Sequence, residues 1–274
     1  MMNQVSLFSA SNLEAQRDRY RLTQDLRHAL INRELVMYYQ PVFDCRQRRM
    51  VSAEALLRWN HPKRGLLSPA TFIPLAEQSN LINEIGRWTI RTVCDQARAW
   101  LDNSITDFKV AVNLSARQFN DSSLVDFTRQ ALFDSRIGPA VLEIELTETA
   151  AMADFQYTLR MFTKLRELGV SVAIDDFGMG YSNLSYLSRL PFDRLKIDRT
   201  FVRHVADNAN HSSICKALIT LAEGLGLEVT AEGTETREEV ETLVGYGCYK
   251  FQGYYFSRPQ PADELSARLH GVID

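Results

Sequence analysis

VLEIELTETAAMADFQYTLRMFTKLRELGVSVAIDDF (Val141–Phe177) holds two apolar runs separated by an amphipathic stretch. In the first run, VLEIELTE, Glu143, Glu145 and Thr147 share one face of an extended chain, because strand side chains alternate with period two. Phe155–Leu168 is amphipathic, as a helix packed on a sheet must be, and Gly169 stands where such a helix stops. SVAIDDF (171–177) then reads as a second strand. The unit is strand, helix, parallel strand. It recurs outward in both directions, with strand-like runs at 35–43, 50–59, 109–115, 141–148, 171–177, 194–198, 228–233 and 250–256. Amphipathic stretches Leu81–Leu101, Ser115–Leu132, Ser212–Leu225 and Arg237–Tyr246 lie between them. Eight strands, most followed by helices, predict an α/β fold, a (β/α)8 barrel of the TIM type. The first two strands are joined only by the short stretch Asp44–Arg49, too little for a crossover helix, so they form an antiparallel hairpin. The barrel is therefore a modified one in which one strand runs backwards.

Upstream, QVSLF is followed by a helical pattern from Leu13 to about Asn32, with Leu22, Leu26 and Leu30 on one face. The expected organisation is a linker segment and helix over 1–32, then one domain over 33–274. The 274 residues carry a formal charge of −3, 45% hydrophobic and 24% charged residues, which is ordinary for a globular chain. That charge supplies no footprint for duplex nucleic acid or an anionic membrane. Cys45, Cys94, Cys215 and Cys248 include no C-x-x-C pair and read as reduced thiols, so a cytoplasmic setting is expected. The five histidines include no H-E-x-x-H, which argues against zinc. The first residues do not read as a secretory signal, and no run is long and apolar enough to span a bilayer.

The chemistry is at the strand ends. Asn113, Glu145, Asp175, Lys196 and Glu232 each sit where a hydrophobic strand gives way to a loop, and Glu54 sits deeper in its own strand. Asp176 follows Asp175 directly. In a barrel, the C-terminal ends of parallel strands face one mouth. Five carboxylates and one lysine carry roughly −4 between them, which two divalent cations neutralise. All-oxygen ligation with one amide suits Mg²⁺ or Mn²⁺. At a strand end the first aspartate can bridge two ions while the second turns onto one. Such a pair activates water and clamps an in-line phosphoryl displacement, and a lysine beside it orients the water or stabilises charge on phosphorus.

These residues also carry a resemblance. YYQP, EALLRW, NLS, ELTE, DDFGMGYSNLSYL, PFDRLKID, AEGTE and QGYYFSRP occur in this order from about Gln24 to the end, and together resemble the EAL-domain family of bacterial cyclic-di-GMP phosphodiesterases. The resemblance implies hydrolysis of cyclic di-GMP to linear pGpG with two Mg²⁺ or Mn²⁺ ions, Ca²⁺ being inhibitory. It implies Glu54, Asn113, Glu145 and Asp175 as ligands of one ion, and Asp175, Asp176 and Glu232 as ligands of the other. Lys196 matches the lysine at the catalytic water, with Glu54 and Glu232 completing the catalytic set. Gln40, Arg58, Asp193 and Gln252 match substrate-side positions. Gly178 and Gly180 match a loop that couples the site to dimerisation, anchored by Glu148, with Glu235 as a second supporting residue.

Met179, Asn183, Thr234 and Tyr249 depart from the usual family residues without removing a ligand. The N-terminal stretch resembles a junction between a GGDEF and an EAL domain. The implied partners are therefore cyclic di-GMP, a second copy of the barrel, and fused GGDEF or sensory domains. Two other readings stay open at this point: a catalytically silent cyclic-di-GMP receptor, and an unrelated two-metal nuclease acting on linear RNA.

Overall fold

A computed structural model describes residues 10–179 and 187–269. The chain forms two compact units, Met1–Val36 with Leu57–Gly86, and Met37–Leu56 with Arg87–Asp274. The first unit holds α1 (Ala10–Ala29), the start of β1 (Leu35–Asp44), the end of β2 (Arg49–His61), β3 (Gly65–Leu67) and α2 (Pro69–Gln78). Helix α1 packs on α2 and buries Leu22, Leu26 and Ala29, while its arginines stay in water. Trp59 is fully buried, edge-on to Phe72, and its indole N–H donates to Glu34 at 2.9 Å. Pro69 opens α2, where its missing N–H costs nothing.

The second unit holds most of α3 (Ile82–Asp102), then β4 (Lys109–Leu114), α4 (Ala116–Phe119), α5 (Leu124–Asp134), β5 (Leu142–Thr147), α6 (Glu148–Ala153), α7 (Phe155–Leu168) and β6 (Ser171–Phe177). It continues with β7 (Arg194–Ile197), α8 (Arg199–Val202), α9 (Ala209–Gly224), β8 (Glu228–Glu232), α10 (Arg237–Gly245), β9 (Lys250–Gln252), β10 (Gln260–Pro261) and α11 (Ala262–Leu269). Strands β2, β4, β5, β6, β7, β8 and β9 pair in parallel, each with the next. Strand β1 runs antiparallel to β9 and also pairs with β2, which closes the barrel. The expected architecture, including the reversed strand, is the observed one.

Leu142, Ile144 and Leu146 leave one face of β5, and Val172 and Ile174 one face of β6; all are 0–1% exposed. Phe162 and Leu165 of α7 are fully buried, and α7 packs on β6. Asp154 caps the start of α7 by accepting from the Tyr157 amide, and Gly169 ends it with φ 93°.

Several boundaries differ from the sequence expectation. The stretch read as one helix over Ser115–Leu132 is two, because Asp121 turns back to accept from the Ser123 amide and hydroxyl and breaks the ladder. The last strand stops at Gln252 instead of running to 256. There the Thr234 backbone lies so close that only a glycine fits at 253, and the chain turns, with the Tyr255 amide donating to Thr234. Helix α1 begins earlier and ends earlier than Leu13–Asn32.

Candidate metal centre

Parallel pairing of neighbouring strands brings the acids together inside the barrel. Asn113 pairs with Glu145 across β4 and β5, and Glu232 with Gln252 across β8 and β9. Glu54, Glu145 and Asp175 are buried at 7%, 2% and 8% exposure, and Lys196 at 1%. The Lys196 ammonium sits among four carboxylates, at 2.6 Å from Glu232, 2.7 Å from Glu145, 3.4 Å from Asp175 and 3.6 Å from Glu54. Asn113 donates to one oxygen of Glu54, and Gln252 to the other. Gln252 also donates to Gln40 at 3.2 Å, and Gln40 in turn to the Ser257 carbonyl at 3.1 Å.

Adjacent residues on a regular strand point to opposite faces, yet Asp175 and Asp176 serve the same mouth. The β6–β7 register explains how. Ile174 pairs with Leu195 and Phe177 with Ile197, so three steps on β6 face two on β7. This bulge, with Asp176 held at φ 53°, turns the second carboxylate round to join the first. Two triads of carboxylates result, Glu54–Glu145–Asp175 and Asp175–Asp176–Glu232, each with its ligand atoms within 4.8 Å of one another. They share Asp175.

The electrostatics are those of an overcrowded acid site. Burial pushes the Glu145 carboxyl well above its usual range; Lys196 opposes this, and Glu54 and Asp175 add to it. Burial likewise raises Glu232 against the pull of Lys196. Asp176 is pushed up to about 6 by burial, then by Asp175 and Asp198. Burial by itself lowers the Lys196 ammonium, but the surrounding carboxylates overcome it and hold the proton well above the ordinary lysine range. One cation for five carboxylates leaves the cluster short of positive charge. The donor set, all oxygen with the Gln252 Oε1 buried and unpartnered beside it, fits hard divalent ions. Two cavities flank Glu232. One, of about 240 Å³, is lined by Gln40, Glu54, Gln252 and Tyr254; the other, of about 540 Å³, by Glu148, Asp176 and Asp198.

The family model for the EAL domain matches residues 23–259. The chain belongs to the EAL-domain family. It is 44% identical over 261 residues to the bifunctional diguanylate cyclase/cyclic di-GMP phosphodiesterase MucR of Pseudomonas aeruginosa, covering 95% of this chain and 38% of MucR. It is 39% identical over 267 residues to the cyclic di-GMP phosphodiesterase NbdA of the same organism, covering 97% of this chain and 34% of NbdA. The chain thus spans little more than a third of the length of these relatives. Among solved structures, the MucR phosphodiesterase in complex with c-di-GMP matches with a TM-score of 0.87 at 44% identity, covering 89% of this chain and 99% of that one.

Within this EAL barrel, Glu54, Asn113, Glu145, Asp175, Asp176, Lys196, Glu232, Gln40 and Gln252 all come together as the sequence suggests. Asp193 does not. It precedes β7, where its Oδ2 accepts from the Val172 amide at 2.9 Å and its Oδ1 pairs with Arg166 at 3.2 Å. The start of a parallel strand faces the opposite mouth, and Asp193 lines a separate cavity of about 520 Å³ there with Lys109 and Glu228. Arg58 lies four residues beyond Glu54 on β2, in the first unit, and its Nη1 donates to the Leu57 carbonyl at 2.8 Å. Glu148 accepts from the Gly178 amide at 3.0 Å, and Glu235 pairs with Arg203. Gly180 and Asn183 lie outside the described residues.

Two residues gain a place that the sequence left open. Glu143, two residues below Glu145, pairs at 3.5 Å with Arg194, two residues below Lys196. Asp198 ends the K-I-D run, caps α8 through the Thr200 amide at 2.8 Å, and adjoins Asp176. Strand alternation was the available signal, since Lys196 and Asp198 share a face.

Asp176 yields a test of the crowding. The folded metal-free chain keeps its proton up to about pH 6 against 3.8 for an unperturbed aspartate. Its contribution to folding is therefore complete below pH 3.8 and is lost as pH rises through 6. Asp176→Asn removes the charge and suits φ 53°. With chelator at pH 7 the variant is expected to be more stable by about 1–2 kcal/mol, a figure reduced for the partly exposed side chain, or a few degrees in Tm. Thermal unfolding at pH 7 and near pH 4 checks this: the gain disappears at the lower pH, and a gain that persists there contradicts it.

Proposed function

We propose that this chain hydrolyses one phosphodiester bond of cyclic di-GMP to give linear pGpG. The observation that supports this best is the pair of carboxylate triads sharing Asp175, in the barrel of a family whose named relatives include cyclic di-GMP phosphodiesterases. In this reading Glu54, Asn113, Glu145 and Asp175 hold one divalent ion, Mg²⁺ or Mn²⁺, and Asp175, Asp176 and Glu232 hold a second, with Ca²⁺ inhibitory. Bound there, such ions supply Lewis-acid activation of water and of the scissile phosphate. The chain does the rest. Lys196, fixed at the centre of the acids, orients the attacking water and meets the negative charge that builds on phosphorus. Glu232 faces the flanking cavities and is placed to take the proton of that water. The water oxygen bonds to phosphorus, the bond to the 3′ oxygen breaks, and that oxygen takes up the proton that Glu232 removed from the water and leaves as a hydroxyl. Gln40 and Gln252 hold the nucleotide.

The loop from Gly178, anchored by Glu148 and supported by Glu235, couples the site to a homodimer partner. The remaining length of the relatives fits fusion to GGDEF or sensory domains, and the catalytic unit works in the cytoplasm. No helix among the described residues is long and apolar enough to cross a membrane. Incubating the purified chain with Mn²⁺ and cyclic di-GMP is expected to convert the substrate stoichiometrically to pGpG. Tight binding without turnover would make it a receptor, and faster cleavage of linear oligonucleotides would make it a nuclease.

A further inference from the structure

Accepting that reading, cyclic di-GMP brings two phosphodiesters to a mouth whose positive charge is almost all committed. One phosphate is the scissile one and shares the level of the acid triads. The other is carried across the macrocycle and needs a cation of its own. Lys196 is enclosed by four carboxylates, and Arg203 is paired with Glu235. Among the described residues, Arg199 is the remaining cation lining both cavities beside Glu232. It is exposed and makes no ion pair among the described residues.

Its backbone is tightly fixed all the same. Asp198 caps the turn through the Thr200 amide, and Gly233, at φ 70°, is packed so closely that a Cβ there would overlap the Cβ of Arg199. A rigid base with an uncommitted guanidinium, at the shoulder of Glu232, is a preorganised anion site. A guanidinium presents paired N–H donors that match two phosphate oxygens, whereas a single surface ammonium does not.

We infer that Arg199 binds the non-scissile phosphate of the cyclic dinucleotide and thereby sets substrate affinity without entering the chemical step. The contact is the same in ground and transition states, so its loss raises KM and spares kcat. Steady-state kinetics of Arg199→Ala with cyclic di-GMP and Mn²⁺ are expected to show KM raised about 10- to 100-fold, with kcat within about threefold. Calorimetric Mn²⁺ affinity stays at the wild-type value, and Arg199→Lys recovers part of the KM. A KM within twofold of wild type in Arg199→Ala overturns the inference while leaving the phosphodiesterase reading intact. So does a joint fall of kcat and Mn²⁺ affinity, which would mean that Arg199 merely supports Glu232. A wild-type chain that takes up Mn²⁺ but neither binds nor cleaves cyclic di-GMP overturns both.

Discussion

Replacing Asp175 by asparagine is expected to abolish turnover of cyclic di-GMP, by a factor of about 10³ or more, and to remove tight Mn²⁺ binding at both positions together. The expectation follows from membership: Asp175 is the carboxylate common to both triads, with its ligand atom within 4.8 Å of Glu54 and Glu145 on one side and of Asp176 and Glu232 on the other. Asparagine keeps the volume but has one acceptor oxygen and no charge, so it cannot bridge two cations. Folding is not at risk, since removing one acid relieves repulsion in a cluster that has Lys196 as its one cation. Calorimetry and initial rates decide the matter. Two equivalents of Mn²⁺ bound at wild-type affinity, with a rate within tenfold of wild type, would remove Asp175 from the bridging position.

Lys196→Met separates two roles of one side chain. The thioether keeps the length of the stem and loses the charge. With metal present, kcat is expected to fall about 10²- to 10³-fold, as when a group facing transition-state charge is lost, and Mn²⁺ still binds. Without metal the effect is on folding. Four carboxylates within 3.6 Å lose their counter-ion in a site where Lys196 is 1% exposed. Breaking a buried pair by removing one partner costs about 3–5 kcal/mol, or roughly 10 °C in Tm for a chain of this size. Added Mn²⁺ restores most of that loss. Thermal unfolding in chelator and in excess Mn²⁺ checks it, and a variant equally stable in both would mean that Lys196 does not balance the acids.

The barrel was legible because its signals are local. Alternating Leu142, Ile144 and Leu146 define a strand, and the short connection Asp44–Arg49 excludes a crossover. The cluster of acids was legible for the same reason: an acid at the end of a buried strand has no apolar explanation. What stayed hidden depends on pairing between strands. The bulge that turns Asp176 onto the face of Asp175 is a mismatch between β6 and β7 and leaves no mark in either segment alone. Asp193 came from resemblance, although its place ahead of RLKI already set it at the far mouth. The exit of the chain at Gly253 depends on Thr234, a neighbour only in space.

The central claim is that Asp175 is shared between two ion positions, and anomalous scattering from Mn²⁺-soaked crystals measures this directly. Two peaks are predicted, one among Glu54, Asn113, Glu145 and Asp175, the other among Asp175, Asp176 and Glu232. A single peak that Asp175 does not touch, or two peaks with Asp175 bound to neither, would contradict it.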